Sequence, residues 1–165
     1  PGAAYAAADE LVKAADDEAK QLNADRDERE REELATALGA GGTGKGAASA
    51  TRGSAGVLKD LERRQKSRAT RTGRDALDRA LIDVAGLYRD ALALRFGTGA
   101  AATDVTLYHP DMADQARDLA ERIRPEGLLR SVEAVLACRE ALDHNVKPRF
   151  AVAAMVAGLI AAQAP

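Results

Sequence analysis

Tryptophan is missing from this chain and cysteine occurs once, at Cys138. A lone thiol excludes an internal disulfide, and with it the stapled architecture of small secreted domains, so a reducing, cytoplasmic setting is the expectation. Aromatics are scarce, two Phe and three Tyr, and none interleaves with basic residues as a stacking platform for single-stranded nucleic acid would require. No continuous apolar run approaches the roughly 18 residues of a membrane span, and the amino end lacks the charged-then-apolar layout of a signal peptide, so a soluble, non-exported chain is expected. An excess of one charge sign is lacking too: 24 Lys and Arg stand against 26 Asp and Glu, a formal net charge of −2. That balance gives no global case for nucleic-acid binding and leaves only local charge to be weighed.

What is present is alanine, leucine and valine, which make up most of a 46% hydrophobic content. A composition dominated by alanine and leucine, with small side chains that allow close packing, suits helices, so the expected fold class is all-α. A chain of 165 residues fits a single domain burying roughly 70% of its unfolded surface. It opens on Pro1 rather than Met, from which the expectation is a processed or excised piece of a longer product.

From Ala3 to Leu38 there is neither proline nor glycine. Tyr5, Ala8, Val12, Ala15, Ala19 and Leu22 step along one helical face, which predicts a long first helix. Its second half, Asn23 to Glu33, is almost wholly charged and is expected to project into solvent or to meet a basic partner. Gly39 to Gly56 is rich in Gly, Ala, Ser and Thr and reads as a flexible linker, because such residues bury too little surface to offset the entropy of ordering them. A second helix follows from Val57 to about Phe96, interrupted only by Gly73 and Gly86. Unbroken it would run roughly 60 Å, more than a compact domain of this size spans, so a kink near Gly73 or a protruding end is expected. The stripe Leu77, Leu81, Val84, Tyr88 and Leu92 makes its carboxy half the core-forming half. After a loop from Gly97 to about His109, Pro110 opens a third helix with the stripe Met112, Ala116, Leu119, Ala120 and Ile123. Pro125 opens a fourth, with Leu128, Val132, Val135, Leu136 and Leu142, and Asn145 as its cap. Pro148 opens a fifth, with Phe150, Val152, Met155, Val156, Leu159 and Ile160. Five helices and no strand result.

Chemistry is hard to find in this pattern. The run Gly39-Ala40-Gly41-Gly42-Thr43-Gly44-Lys45-Gly46 nearly spells a phosphate-binding loop. Such a loop needs a hydroxyl residue after the lysine for magnesium and a strand-to-helix setting so that amides cradle phosphate. Gly46 stands at the hydroxyl position and a charged helix precedes the segment, so no nucleotide site is assigned. His109 and His144 are at no metal-ligand spacing with Cys138 or with paired carboxylates. His109 ends a loop before Pro110, and His144 is placed to meet the carbonyls at a helix end. Cys138 lies in an apolar helical run and reads as a packed thiol rather than a nucleophile. Neither a nucleophile elbow nor a Ser, His and Asp cluster is found, and the acid pairs Asp16 with Asp17 and Glu32 with Glu33 read as surface charge. No catalytic residue, metal or cofactor is expected.

The most informative polar feature is the basic stretch from Lys59 to Arg79, with Lys59, Arg63, Arg64, Lys66, Arg68, Arg71, Arg74 and Arg79 against four acids. Three readings stand: a solvated helix face, pairing with the acidic first helix or a neighbouring subunit, or contact with a nucleic-acid backbone. Apolar residues off the main stripes, Leu87 and Leu94 on the second helix and Leu129 on the fourth, are candidates for burial against a partner.

Two blocks carry a resemblance. Leu58-Lys59-Asp60-Leu61-Glu62-Arg63-Arg64-Gln65-Lys66-Ser67-Arg68-Ala69-Thr70-Arg71, continuing through Arg74-Asp75-Ala76-Leu77-Asp78-Arg79-Ala80-Leu81 to Leu87-Tyr88-Arg89-Asp90, resembles the delta-prime subunits of the bacterial DNA polymerase III clamp loader, of actinobacterial type. Ala137-Cys138-Arg139-Glu140-Ala141-Leu142 through Asn145-Val146-Lys147-Pro148-Arg149-Phe150-Ala151 resembles the closing helix pair of clamp-loader collar domains, a motif shared with the delta and gamma/tau subunits. The resemblance runs from about Ala3 to Ala162, with the Gly-rich segment and the loop after Phe96 as variable parts. It implies a five-helix collar domain with two long helices, cut from amino-terminal AAA+ modules that are not in this sequence. In that family the collar holds the loader together while ATPase modules of other subunits open the sliding clamp and place it on primed DNA during replication. Delta-prime is there a rigid, non-hydrolysing member that completes a neighbour's ATP site through its amino-terminal module. The implied partners are the gamma/tau and delta subunits, with DNA met only through the complex, no membrane and no small-molecule substrate. Arg64, Arg68, Arg71, Arg74, Leu87, Leu94 and Leu129 are the expected subunit contacts. The alternative is a helical protein-protein adaptor unrelated to replication, or the collar domain of another loader subunit.

Overall fold

A computed structural model describes residues 2–38, 47–97 and 106–164, with the side chains of 47–54 excepted. Five α-helices are present among the described residues: α1 (Gly2–Ala37), α2 (Ala47–Phe96), α3 (Ala113–Arg122), α4 (Pro125–Asp143) and α5 (Pro148–Ala162), with a 3-10 turn over Pro110–Met112 ahead of α3. No strand occurs among these residues, and the fold class is all-α. Proline marks three helix starts, Pro110, Pro125 and Pro148, because its missing N–H costs nothing in a first turn and its fixed φ is already helical.

The helix ends follow local chemistry. Asn145 takes φ 60°, the only positive φ outside glycine among the described residues. Asn145 N–H donates to the Leu142 carbonyl and Val146 N–H to the Ala141 carbonyl, both at 3.0 Å, the paired bonds that close a helix when a short polar residue adopts the left-handed conformation. The cap expected at Asn145 is therefore in place. His144 Nδ1 lies 2.8 Å from the Glu140 carbonyl oxygen, the carbonyl contact expected of it.

The expected linker meets a correction. Its first part, Gly39 to Gly46, lies outside the described residues, but α2 begins at Ala47. Ala47, Ala48 and Ala50 are strong helix formers, and the two glycines that follow, Gly53 and Gly56, do not interrupt the helix. The helix also continues through Gly73 and Gly86.

The described residues group into two compact units. The first combines residues 1–13 with 77–165, and the second is Ala14–Ala76. In the first unit Leu81, Leu128, Val135 and Val152 are fully buried, each contributing about 1.5–3 kcal/mol by removal from water. Tyr88, Ala91, Ala120, Ile123 and Leu128 form a cluster against which Val84, Leu92, Leu94, Leu119, Val132 and Leu159 pack. The pair α4 and α5 is held close by small residues: a Cβ on Gly127 would collide with the carbonyl oxygen of Ala162, and one on Gly158 would lie 3.1 Å from the Ala134 methyl. Polar ties pin the periphery. Arg139 forks onto Asp78 at 2.7 and 3.1 Å. Arg149, at the start of α5, pairs with Asp9 on α1 at 2.8 Å and lies 5.7 Å from the centre of the Tyr5 ring.

The second unit is a helical hairpin with a polar seam. Among its described residues Ala15, Ala19, Asn23, Gln65, Gly73 and Ala76 are buried. Asn23 Nδ2 donates to the Ala19 carbonyl at 2.7 Å and to Thr72 Oγ1 at 3.1 Å. Gln65 Nε2 donates to the Asp27 carbonyl at 3.0 Å. Buried amides are tolerable in such a seam only because each finds an acceptor.

Several stripe assignments change. Tyr5 (42% exposed) and Leu22 (63%) face out of α1, while Ala4 and Asn23 are buried instead. Leu136, Phe150 and Ile160 are about half exposed, whereas Gly127, Ser131, Cys138, Ala151 and Ala153 are buried. On α4 and α5 the reason is steric: where the helices approach most closely, at Gly127 beside Ala162 and Gly158 beside Ala134, only small side chains fit.

Candidate protein-binding surface

An open apolar groove of about 550 Å³ lies in the first unit between the last turns of α2 and the first turn of α4. Its lining is Leu92, Ala93, Phe96, Pro125 and Leu129, with Arg89 and Glu126 as the charged members. Phe96 is 68% and Leu129 52% exposed, so two large apolar side chains stand beside a cleft that could accept a third. Pro125 fixes the start of α4, and the position of Leu129 one turn later follows from it. Leu136, seven residues beyond Leu129, is exposed on the same face of α4.

Next to Arg89 in α2, a buried carboxylate ties the helix to the segment ahead of Pro110. Asp90 is fully buried, and its carboxylate accepts the backbone N–H of Tyr108 at 2.9 Å, the backbone N–H of His109 at 2.8 Å and Arg89 Nη1 at 2.8 Å. Burial alone would raise the Asp90 carboxyl, but these donors outweigh it and hold the group below the usual carboxylate range. Arg89 also donates to the Thr106 carbonyl at 3.0 Å. The His109 ring rests over Gly86, where an added Cβ would come within 2.8 Å of both His109 Nε2 and Tyr108 Cδ1. His109 Nε2 is buried without a hydrogen bond among the described residues, 3.7 Å from Asp83 Oδ1. Asp90 was not visible as a core residue in the sequence; the signal was its position two residues after Tyr88 and one before Ala91, inside the apolar stripe.

In the second unit Arg68 turns into the hairpin seam. Its guanidinium reaches Asp27 Oδ1 and both Glu30 oxygens, with Nη1 3.0 Å from Glu30 Oε1. Hydrogen bonding from Arg68 pulls the Glu30 carboxyl down to about 2, with Arg26 and Gln65 adding to the effect against the opposing cost of burial. Pairing with the acidic first helix thus accounts for Arg68, whereas Arg64, Arg71 and Arg74 are exposed.

Of the other expected contacts, Leu129 lines the groove. Leu94 packs against the core cluster instead of facing outward, and Leu87 is half-buried. Cys138 is buried, and burial pushes its thiol up to about 11, the opposite of what a nucleophile needs. Among the described residues no three His, Cys, Asp or Glu side chains are grouped to hold a metal, and no helix is long and apolar enough to cross a membrane. The glycine-rich run Gly39 to Gly46 lies outside the described residues. Comparison with family models, with curated proteins and with solved structures gives no match.

Proposed function

We propose that this chain is a helical assembly domain without chemistry of its own, acting as the collar domain of a delta-prime subunit in the DNA polymerase III clamp loader. The observation that carries the assembly reading is the groove bounded by the exposed Phe96 and Leu129. Large apolar side chains left in water beside an open cleft are commonly covered by a partner. The assignment to a clamp loader rests on the two sequence blocks described above, around Leu58 to Asp90 and Ala137 to Ala151. In this reading the occupant of the groove is an apolar helix face of a neighbouring gamma/tau or delta collar domain, with Arg89 and Glu126 setting its orientation through charge.

The test is co-purification and calorimetric titration of the chain with gamma/tau and delta subunits. Binding is expected, and Phe96→Glu with Leu129→Glu should weaken it ~1,000-fold or more, the effect of losing two anchor residues at about 2 kcal/mol or more each. Absence of association with every loader subunit would remove the replication assignment. Association that survives the double substitution would remove the groove from it.

A further inference from the structure

The acid-free stretch from Arg63 to Arg74 acquires a direction from the hairpin. The residues of α2 that meet α1 are Gln65, Arg68, Thr72 and Gly73. On a helix wheel they centre on one side, and Lys59, Arg63, Lys66, Ser67, Thr70, Arg71 and Arg74 fall on the other, with Arg64 at its edge. All eight of these outward residues are exposed. Of the acids of α1, Asp27 and Glu30 engage Arg68. Arg63 has an exposed contact with Asp60 at 3.1 Å, a pair of small worth. Arg64, Lys66 and Arg71 have no acidic partner among the described residues.

We propose that this outer face of α2 binds the phosphate backbone of double-stranded nucleic acid directly, without reading sequence. Charge complementarity supplies the attraction, since a row of cations displaces counterions from a duplex. The composition of the face chooses among anionic partners. It carries no large apolar side chain from Arg63 to Arg74, so a folded acidic protein would find no apolar centre to bury there. A lipid surface would likewise find nothing to insert. Phosphates need only cationic and hydroxyl donors, which Arg63, Arg64, Lys66, Ser67 and Arg71 provide. The absence of aromatic residues on the face removes the stacking that single strands use. Gln65, the one amide in the stretch, is turned inward onto the Asp27 carbonyl and cannot pair with an adenine edge. This contact is separate from the groove in the first unit and does not depend on which proteins occupy that groove.

The experiment is fluorescence anisotropy of a labelled 20-base-pair DNA duplex titrated with the full chain at several salt concentrations. With about five phosphate contacts the logarithm of affinity should fall against the logarithm of salt with a slope near −4.5, close to 500-fold between 50 and 200 mM. Arg64→Ala, Lys66→Ala and Arg71→Ala together should flatten the slope to about −2 and weaken binding more than ~10-fold at 50 mM. Circular dichroism of that variant should match the parent, since none of the three side chains hydrogen-bonds across the seam, Arg64 only lining the cleft beside Glu30 and Glu33. No binding at 50 mM, binding unaffected by the triple substitution, or loss of helix in the variant would each overturn the proposal. So would equal competition by polyglutamate of matched charge, or tighter association with vesicles containing phosphatidylserine than with the duplex.

Discussion

The carboxylate of Asp90 receives the backbone N–H of His109 at 2.8 Å from a fully buried position on α2. That bond, with its companion from Tyr108, supplies acceptors to two amides in the segment that leads into the Pro110 turn. The side chain acts as a fixed acceptor for a stretch of chain that has no sheet or helix to satisfy it. It connects the α2 core to the entry of α3.

Asp90→Ala should therefore destabilise the first unit by about 2–4 kcal/mol, because two amide donors and the Arg89 guanidinium lose their acceptor at once. Denaturant unfolding measures the loss. Amide exchange at Tyr108 and His109 should accelerate more than exchange in α5; equal acceleration in both places would contradict the local role.

Two glycines of α2 should respond to alanine with opposite sign. Gly56 has nothing within 4 Å of an added Cβ, so Gly56→Ala gains about 0.5–1 kcal/mol of helix propensity. At Gly86 the same methyl would meet the Tyr108 and His109 rings, and overpacking of about 1–3 kcal/mol outweighs the propensity gain. Thermal melts of the two variants should move in opposite directions.

Acid should loosen the hairpin through Glu30. Its folded carboxyl titrates at about 2, below the ordinary value of about 4.3. A depressed folded value means that the contribution is present above the ordinary range and lost as pH falls through about 2. Glu30→Gln should weaken amide protection around Asn23 and Gln65 at pH 7, and the difference from the parent should disappear near pH 2. A difference that persists unchanged at pH 2 would show that charge pairing with Arg68 is not its source.

The Cys138 thiol should resist alkylation. Held at about 11 by burial, it offers almost no thiolate at pH 8, and a disulfide reagent should modify it at least ~100-fold more slowly in the native chain than in urea. Native-state labelling at the urea rate would place the thiol in solvent.

Much of the architecture was legible because helical signals are local. Pro110, Pro125 and Pro148 mark helix starts through the chemistry of a single residue, and Asn145 marks an end in the same way. The stripe Leu77, Leu81, Tyr88 is buried as its spacing predicts. Where several side chains compete for one contact, the pattern misled. Phe150 and Ile160 satisfy the helical period, yet α4 approaches α5 closely enough at Gly127 and Gly158 that alanines occupy the contact.

The candidate sites divide along the same line. The exposed cations of α2 and the acids of α1 can be listed from the sequence, because charge belongs to the residue. Which cation turns inward could not be listed: Arg68 meets Asp27 and Glu30, 41 and 38 positions away along the chain. Likewise Leu129 could be named as an apolar residue off its stripe, but the cleft beside it exists only where Phe96 and Pro125, 29 positions apart in sequence, line the same space. Sequence alone determined the all-helical class, the proline-marked helix starts and the Asn145 cap, all consequences of neighbours within a few residues. Tertiary structure alone decided the buried Asp90, the inward Arg68 and the open groove, because burial and pairing depend on distant segments meeting.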